Sequence, residues 1–211
     1  MKLAVVGATG NIGKQIIEEA LTRGHEVTAI VRDASRVETA HENLHVVTGD
    51  IFNADSIAKE AVNHDVLISA FGPKHGEDEK LVEATHSLLK AAKQANVSRL
   101  VSVGGAGSLE VAPGLQVVDT PDFPAEWKAI ALAHRDALEV YKQSDFNWTN
   151  LSPAAMIEPG ERTGKYVTGT DQLLTDENGE SRITIPNFAV ALLDEVESPQ
   201  FSRQRFTVRN A

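Results

Sequence analysis

Short runs of β-branched and other apolar residues alternate along this chain with longer stretches whose apolar positions recur every three or four residues. The short runs are KLAVVG (2–7), HEVTAIV (25–31), LHVVTG (44–49), DVLISAFG (65–72), RLVSVGG (99–105) and NWTNLSP (147–153). Runs of this length bounded by turn residues read as strands. Between them lie stripes at helical spacing: Ile12, Ile16, Ile17, Ala20 and Leu21, then Ile57, Ala61 and Val62, then Leu81, Thr85, Leu88, Leu89 and Ala92. Strand, helix, strand repetition requires a parallel sheet, and right-handed crossovers put helices on both of its faces. The expected class is therefore α/β, a doubly wound parallel sheet.

After Pro153 the pattern changes. Residues 154–184 are rich in Gly, Thr and charge with little periodicity, PNFAVALLDEVESP predicts a last helix between Pro186 and Pro199, and QRFTVRN returns to strand-like alternation. Without a linker or repeat to divide it, residues 1–211 form one domain, with 154–211 expected as a small irregular cap over the carboxyl edge of the sheet. Ligands of open α/β sheets bind at that edge.

Composition narrows the class of partner. No apolar run approaches the roughly 20 residues of a membrane helix. The N-terminus carries no signal-peptide pattern and there are no cysteines, so a cytoplasmic location is expected, without thiol chemistry or cysteine metal sites. Thirty acidic against twenty basic residues give a net charge of -10, which repels a phosphate backbone and argues against nucleic acid. No histidine spacing suits a metal. A small molecule is the expected partner, and oligomeric state, monomer or dimer, stays open.

The first strand ends in GATGNIG, placing Gly7, Gly10 and Gly13 at a G-x-x-G-x-x-G spacing with Thr9 between them. A strand, a tight glycine turn and a helix opening at Asn11 or Ile12 bring free backbone N–H groups and the positive end of a helix dipole to one point. A dinucleotide's diphosphate fits there; a turn needed only for close helix packing is the alternative. In a nicotinamide-binding fold the end of the second strand selects the cofactor, an acid for the ribose of NAD and Arg for the 2′-phosphate of NADP. Here Arg32 holds the tip and Arg36 follows a turn later, which favours NADP(H) over NAD(H) unless both are plain surface arginines; Asp33 falls one place late and would point away if the strand continues. Asp50, with Ile51 beside it, would contact adenine or else serve a turn or cap. Ala70, Phe71 and Gly72 would line the ribose and diphosphate path, with Gly104 and Pro153 toward the nicotinamide.

These segments, together with SVGGAGSL, NWTNLSPA and the stretch from GKYVTG to LLDEVE, resemble the atypical short-chain dehydrogenase/reductases, the NAD(P)H-binding branch that includes biliverdin reductase B-type flavin reductases and nitrogen-metabolite-regulator sensors. The resemblance implies a Rossmann fold, NADP(H) binding, and either reduction of a small substrate or redox sensing without turnover. Typical short-chain dehydrogenases also carry Tyr-x-x-x-Lys, whose places fall here near Ala131 and Arg135, while Tyr141 and Lys142 are adjacent and diverge on a helix. Without that acid, hydride transfer to a flavin or quinone is the expected chemistry, because it needs stacking and orientation more than a strong proton donor. The resemblance places His134 against the cofactor, where it could protonate a reduced product. Ser108 would orient the carboxamide or substrate; plain helix and turn roles are the alternatives for these two. Trp127 is the candidate pocket aromatic and Trp148 the candidate core residue. A non-catalytic NADP(H) sensor is the second reading, and a sugar-nucleotide epimerase or dehydratase the third.

Overall fold

The computed structural model describes residues 1–211. The chain runs β1 (Lys2–Val6), α1 (Asn11–Thr22), β2 (Glu26–Val31), β3 (Leu44–Thr48), α2 (Ala54–Ala61), β4 (Val66–Ser69), α3 (Lys80–Ala95) and β5 (Arg99–Val103). A short hairpin, β6 (Glu110–Ala112) and β7 (Leu115–Gln116), precedes α4 (Ala125–Gln143) and β8 (Trp148–Ser152). The chain closes with β9 (Met156–Glu158), β10 (Tyr166–Gly169), β11 (Arg182–Thr184), α5 (Ile185–Glu197) and β12 (Gln204–Asn210).

Eight strands form the main sheet in the order β10-β12-β8-β5-β4-β1-β2-β3. Every neighbouring pair is parallel except β10 with β12. From β1 the chain winds outward through β2 and β3, then returns to lay β4 on the other flank of β1. Crossovers leave in opposite directions at that point, so a crevice opens beyond the carboxyl ends of β1 and β4.

Alternate residues of each strand serve opposite faces. Leu3, Val5, Val27 and Ala29 pack with Ile16 and Ile17 of α1 and with Phe188 and Leu192 of α5. Ala4, Val6, Leu67 and Leu100 meet Ile57 of α2, Leu88 of α3 and Leu138 of α4. These residues are all at most 3% exposed, so each strand is buried on both sides, as near-continuous apolar runs require. The predicted strands lose one to four residues at their ends, because Gly7, Gly49, Gly72 and Gly104 belong to the turns that leave the sheet.

The C-terminal region corrects the expected cap. Strand β12 sits within the sheet between β8 and β10, and α5 packs along α1 as part of the central core. Helix α5 starts at Ile185, one residue before Pro186, with Thr184 Oγ1 accepting from Asn187 N at 3.4 Å. The physical reason is the composition of α5: nine of its thirteen residues are buried, so this helix has no polar face broad enough to lie over an open edge. Arg99 and Glu195 bind α5 to β5, each side chain 3% exposed and each completed by further hydrogen bonds, among them Glu195 Oε2 accepting from Gln200 N at 2.9 Å. Only the β9–β11 pair and the flanking connections lie beyond the carboxyl edge of β8. Even there the core intrudes, since Ile183 of β11 is fully buried. Ile183→Val is expected to lower unfolding free energy by about 0.5–1.5 kcal/mol, the range for removing one core methyl. A urea midpoint unchanged from the wild type would place β11 outside the cooperative core.

Candidate functional site

Beyond the carboxyl ends of β1, β2 and β4 lies a cleft of about 300 Å³. The glycine turn contributes Gly7, Ala8, Thr9 and Gly10 to its walls, the end of β2 contributes Arg32, Asp33 and Arg36, and the end of β3 contributes Gly49 and Ile51. Ala70, Phe71, Gly72 and Lys74 close it from β4. Residues scattered over sixty-odd positions of sequence thus meet at the crevice that the topology dictates.

Each glycine of the turn answers a different need. Gly7 has φ +80°, and a Cβ there would lie 2.4 Å from the carbonyl carbon of Ala70. At Gly13 a Cβ would lie 2.1 Å from Gly7 O, so this residue lets α1 close onto the turn. Gly10 differs: its nearest obstacle would be Gly7 O at 3.5 Å, an ordinary contact, and it has φ -77°. The protein itself does not require glycine at position 10. Its vacant side-chain volume faces the cleft, where it lets a ligand approach the backbone.

Gly10 is also the N-cap of α1, which has neither a side-chain cap nor an acid in its first turn. The first intrahelical bond is Lys14 N to Gly10 O at 2.9 Å, so the N–H groups of Asn11, Ile12 and Gly13 have no helical acceptor. These three residues do not wall the cleft with side chains; they offer it donors. Helix α2, by contrast, is capped by Asn53 Oδ1, which accepts from Asp55 N and Ser56 N at 3.1 and 3.2 Å. An uncapped N-terminus with a dipole aimed at a glycine-lined cleft suits a diphosphate in charge, donor set and room.

Arg32, Arg36 and Lys74 bring three positive charges to the cleft of a chain with net charge -10. None forms an ion pair. The neighbouring carboxylate, Glu77, is held below the usual carboxylate range chiefly by its hydrogen bond from Lys80 at 2.8 Å, with smaller contributions from Lys74 and Arg32. Lys74 was invisible as a site residue in the sequence, since it follows a strand in a loop and matches no motif. The strand that would have turned Asp33 away does not continue: β2 stops at Val31, and Asp33 lies on the cleft wall. Its carboxylate is nevertheless committed, accepting from Ser35 N at 3.0 Å and Ser35 Oγ at 2.7 Å, so it caps a short helical turn that carries Arg36. Asp50 takes the turn role of the two considered. It is exposed, lies outside the cleft, and accepts from Phe52 N at 3.0 Å, leaving Ile51 and Gly49 as the wall.

The groups expected near the nicotinamide lie outside this cleft. Gly104 packs against Asn150, whose Oδ1 would be 2.2 Å from a Cβ, and Gly105 packs against His134, whose Cβ and Cγ would each be 2.8 Å from a Cβ added there. Pro153 is buried at the end of β8, its carbonyl accepting from Thr207 Oγ1 at 3.4 Å. His134 lines a closed void of about 10 Å³ with Ser69, Thr85, Ser102, Tyr141 and Asn150. Loss of hydration there pulls its pKa down to about 4, against an upward pull from Asp78. His134 is therefore neutral at pH 7, which corrects its casting as a ready proton donor. In the unfolded chain this imidazole titrates near 6.5, so the unfolded state binds the extra proton first. Stability conferred by the neutral ring is complete above about pH 6.5 and is lost as pH falls through about 4. Urea unfolding of wild type and His134→Leu across that window should show the acid-side loss shrinking in the variant; equal slopes would refute the assignment.

Ser108 is corrected more fully. It is 6% exposed, and its Oγ accepts from Arg205 Nη1 at 2.9 Å, so its hydroxyl serves the fold and not the cleft. Trp127 is 61% exposed at the start of α4 and lines no cavity described here, whereas Trp148 is core, its ring 5.7 Å from Tyr141. Tyr141 is buried while Lys142 pairs with Glu139 at 2.8 Å on the surface, so the two cannot act together. At the places of the usual dyad, Ala131 packs against Gly107 and Arg135 bonds Asp136 at 3.3 Å.

Comparison with known proteins agrees with this geometry. The model of a family described as NAD(P)H-binding matches residues 7–196. The uncharacterised protein YwnB of Bacillus subtilis (strain 168) is 41% identical over 212 residues, covering 99% of this chain and 98% of its own. Among solved structures, a Burkholderia pseudomallei protein described as exported is 46% identical with a TM-score of 0.91, covering 99% of both chains. One from Streptococcus pneumoniae TIGR4, described as an NADH-flavin reductase, is 34% identical with a TM-score of 0.89 over the whole of both chains. No helix is long and apolar enough to cross a membrane. With the glycine turn, the uncapped α1 and the doubly wound sheet of a Rossmann fold, these matches show that the chain belongs to the NAD(P)H-binding family.

Proposed function

We propose that the protein is an NADPH-dependent reductase of a small conjugated acceptor of the flavin or quinone type. The observation that carries the cofactor choice is the trio Arg32, Arg36 and Lys74, three cations without carboxylate partners at the end of β2 and across the cleft from it. Guanidinium groups pair with phosphate through charge-assisted, bidentate hydrogen bonds, which a 2′-hydroxyl cannot match. The N–H groups at the start of α1 and the open face of Gly10 would hold the diphosphate. Bound in this way, the reduced nicotinamide supplies the hydride.

The acceptor class follows from what the chain lacks. No Tyr-Lys dyad stands at the carboxyl edge, and His134, neutral at pH 7, is a hydrogen-bonding group more than a proton source. An acceptor that stabilises added electrons by conjugation needs orientation first and takes its proton from solvent. The kinship with a protein described as an NADH-flavin reductase supports the same class. The absent acid also favours a second reading, a sensor that binds NADP(H) without turnover. We place both readings in the cytoplasm, in keeping with a chain free of cysteine.

One assay separates them. Pure protein with NADPH and FMN or menadione is expected to oxidise the nicotinamide above the uncatalysed rate, followed by loss of its near-ultraviolet absorbance. NADPH binding without oxidation of any acceptor in a broad panel would instead establish the sensor.

A further inference from the structure

On the face of the sheet where Asn150 meets His134 and Tyr141 of α4, β8 and β12 carry polar residues side by side. Arg205 and Thr207 of β12 pair with Asn150 and Ser152 of β8 and share their face, while Phe206 and Val208 turn into the core beneath α5. Arg205 is 8% exposed in a setting where an apolar residue would otherwise complete the sheet. Its guanidinium makes three hydrogen bonds, all to connections that leave other strands. Nη1 donates to Ser108 Oγ at 2.9 Å in the segment after β5, and Nε donates to Asp171 Oδ1 at 3.0 Å in the segment after β10, with Nη2 on the same carboxylate oxygen.

Those two segments are also stitched to each other. Glu110 N donates to Asp171 O at 2.8 Å, Leu173 N to Glu110 O at 2.9 Å, and Gln172 Nε2 to Glu110 Oε2 at 3.1 Å. The first segment is anchored internally by Val117 N to Leu109 O and Val118 N to Gly107 O, at 2.8 and 2.9 Å. It begins with Gly104 and Gly105, the residues in contact with Asn150 and His134 at the carboxyl edge. A single buried cation therefore fastens both the segment that starts at Gly104 on the carboxyl edge and the segment after β10, and none of these residues lines the cleft with the arginines.

We propose that Arg205 is a positioning residue for the acceptor site, setting the Gly104–Val118 segment through Ser108 and through Asp171 while leaving the dinucleotide cleft untouched. This rests on the reductase reading only for its kinetic arm. Breaking a buried hydrogen bond to a charged group removes enough free energy to raise local opening about tenfold or more. The structural change has two consequences that a merely stabilising arginine would not separate. Amides of Glu110, Leu173 and Val118 lose protection, and acceptor KM rises while NADPH affinity holds.

The test compares wild type, Arg205→Met, Arg205→Lys and Ser108→Ala by native-state hydrogen exchange, by NADPH titration and by kinetics with menadione. Ser108→Ala removes only the hydroxyl and guards against global unfolding of the arginine variants. The expected result is exchange at Glu110 and Leu173 faster by about tenfold or more in Arg205→Met, a smaller effect confined to the Gly107–Val118 region in Ser108→Ala, and NADPH affinity within about twofold of wild type in both. Partial recovery with Lys is expected at Asp171 but not at Ser108, because one ammonium cannot serve both partners. Unchanged protection in every variant, or loss of NADPH binding in step with loss of protection, would overturn the assignment. If wild type oxidises no NADPH, the reductase reading falls and the acceptor-site role of Arg205 with it, and hydrogen exchange then decides only whether Arg205 sets the Gly104–Val118 segment.

Discussion

Gly7→Ala is expected to lower unfolding free energy by about 2–5 kcal/mol and to abolish binding of NADPH and NADH alike. Two costs combine. Left-handed backbone at φ +80° is unfavourable for alanine by about 1–2 kcal/mol, and forcing a methyl into the backbone of Ala70 adds about 1–3 kcal/mol. The turn also sets α1, since Gly10 N donates to Gly7 O at 3.1 Å, so a displaced Gly7 takes the helix N-terminus with it. Gly10→Ala is the informative control. Its Cβ meets only an ordinary contact, so stability should stay within about 1 kcal/mol of wild type, the scale of exchanging Gly for Ala at an N-cap. Binding should nonetheless be lost, because the methyl fills the space left for the ligand. Urea unfolding with calorimetric titration of both cofactors reads the two effects apart. A Gly10→Ala protein that binds both cofactors normally would mean that this space does not receive a diphosphate.

The second large effect concerns the choice between the two cofactors. Replacing Arg32 and Arg36 together by Ala is expected to weaken NADPH binding by less than about 3–6 kcal/mol, the sum that two independent charge-assisted contacts of about 1.5–3 kcal/mol each would give, while NADH affinity barely changes. Two residues on one phosphate are coupled, so the double variant should fall short of the sum of the single ones. Binding of 2′,5′-ADP and 5′-AMP isolates the same comparison without the nicotinamide. Salt should matter as well, since the arginines are exposed and their attraction is screened over roughly 10 Å at 0.1 M. Equal weakening toward both cofactors would show that the pair supports the β2 turn and does not read a 2′-phosphate.

Local sequence carried the Rossmann core and half of the site because both depend on short-range constraints. Ile16, Ile17, Leu88 and Leu89 announced their helices by spacing, and Gly7, Arg32 and Phe71 could be placed because each lies just past the end of a strand that its own neighbours define. Where the reading failed, the deciding partner lay far away in the chain. Ser108 is explained by Arg205, ninety-seven residues later. His134 looks like any helix histidine until Gly105 and the void beside Tyr141 surround it.

What the sequence determined by itself, then, is the alternation of elements, the glycine turn and the cations at the end of the second strand, because periodicity, backbone freedom and charge are properties of neighbouring residues. Tertiary structure alone decided that α5 and β12 complete the core in place of a cap, that Lys74 joins the two arginines on one cleft, and that His134 is partly withdrawn from water. Burial and charge pairing across a sheet are sums over residues from the whole chain, and no window of sequence contains them.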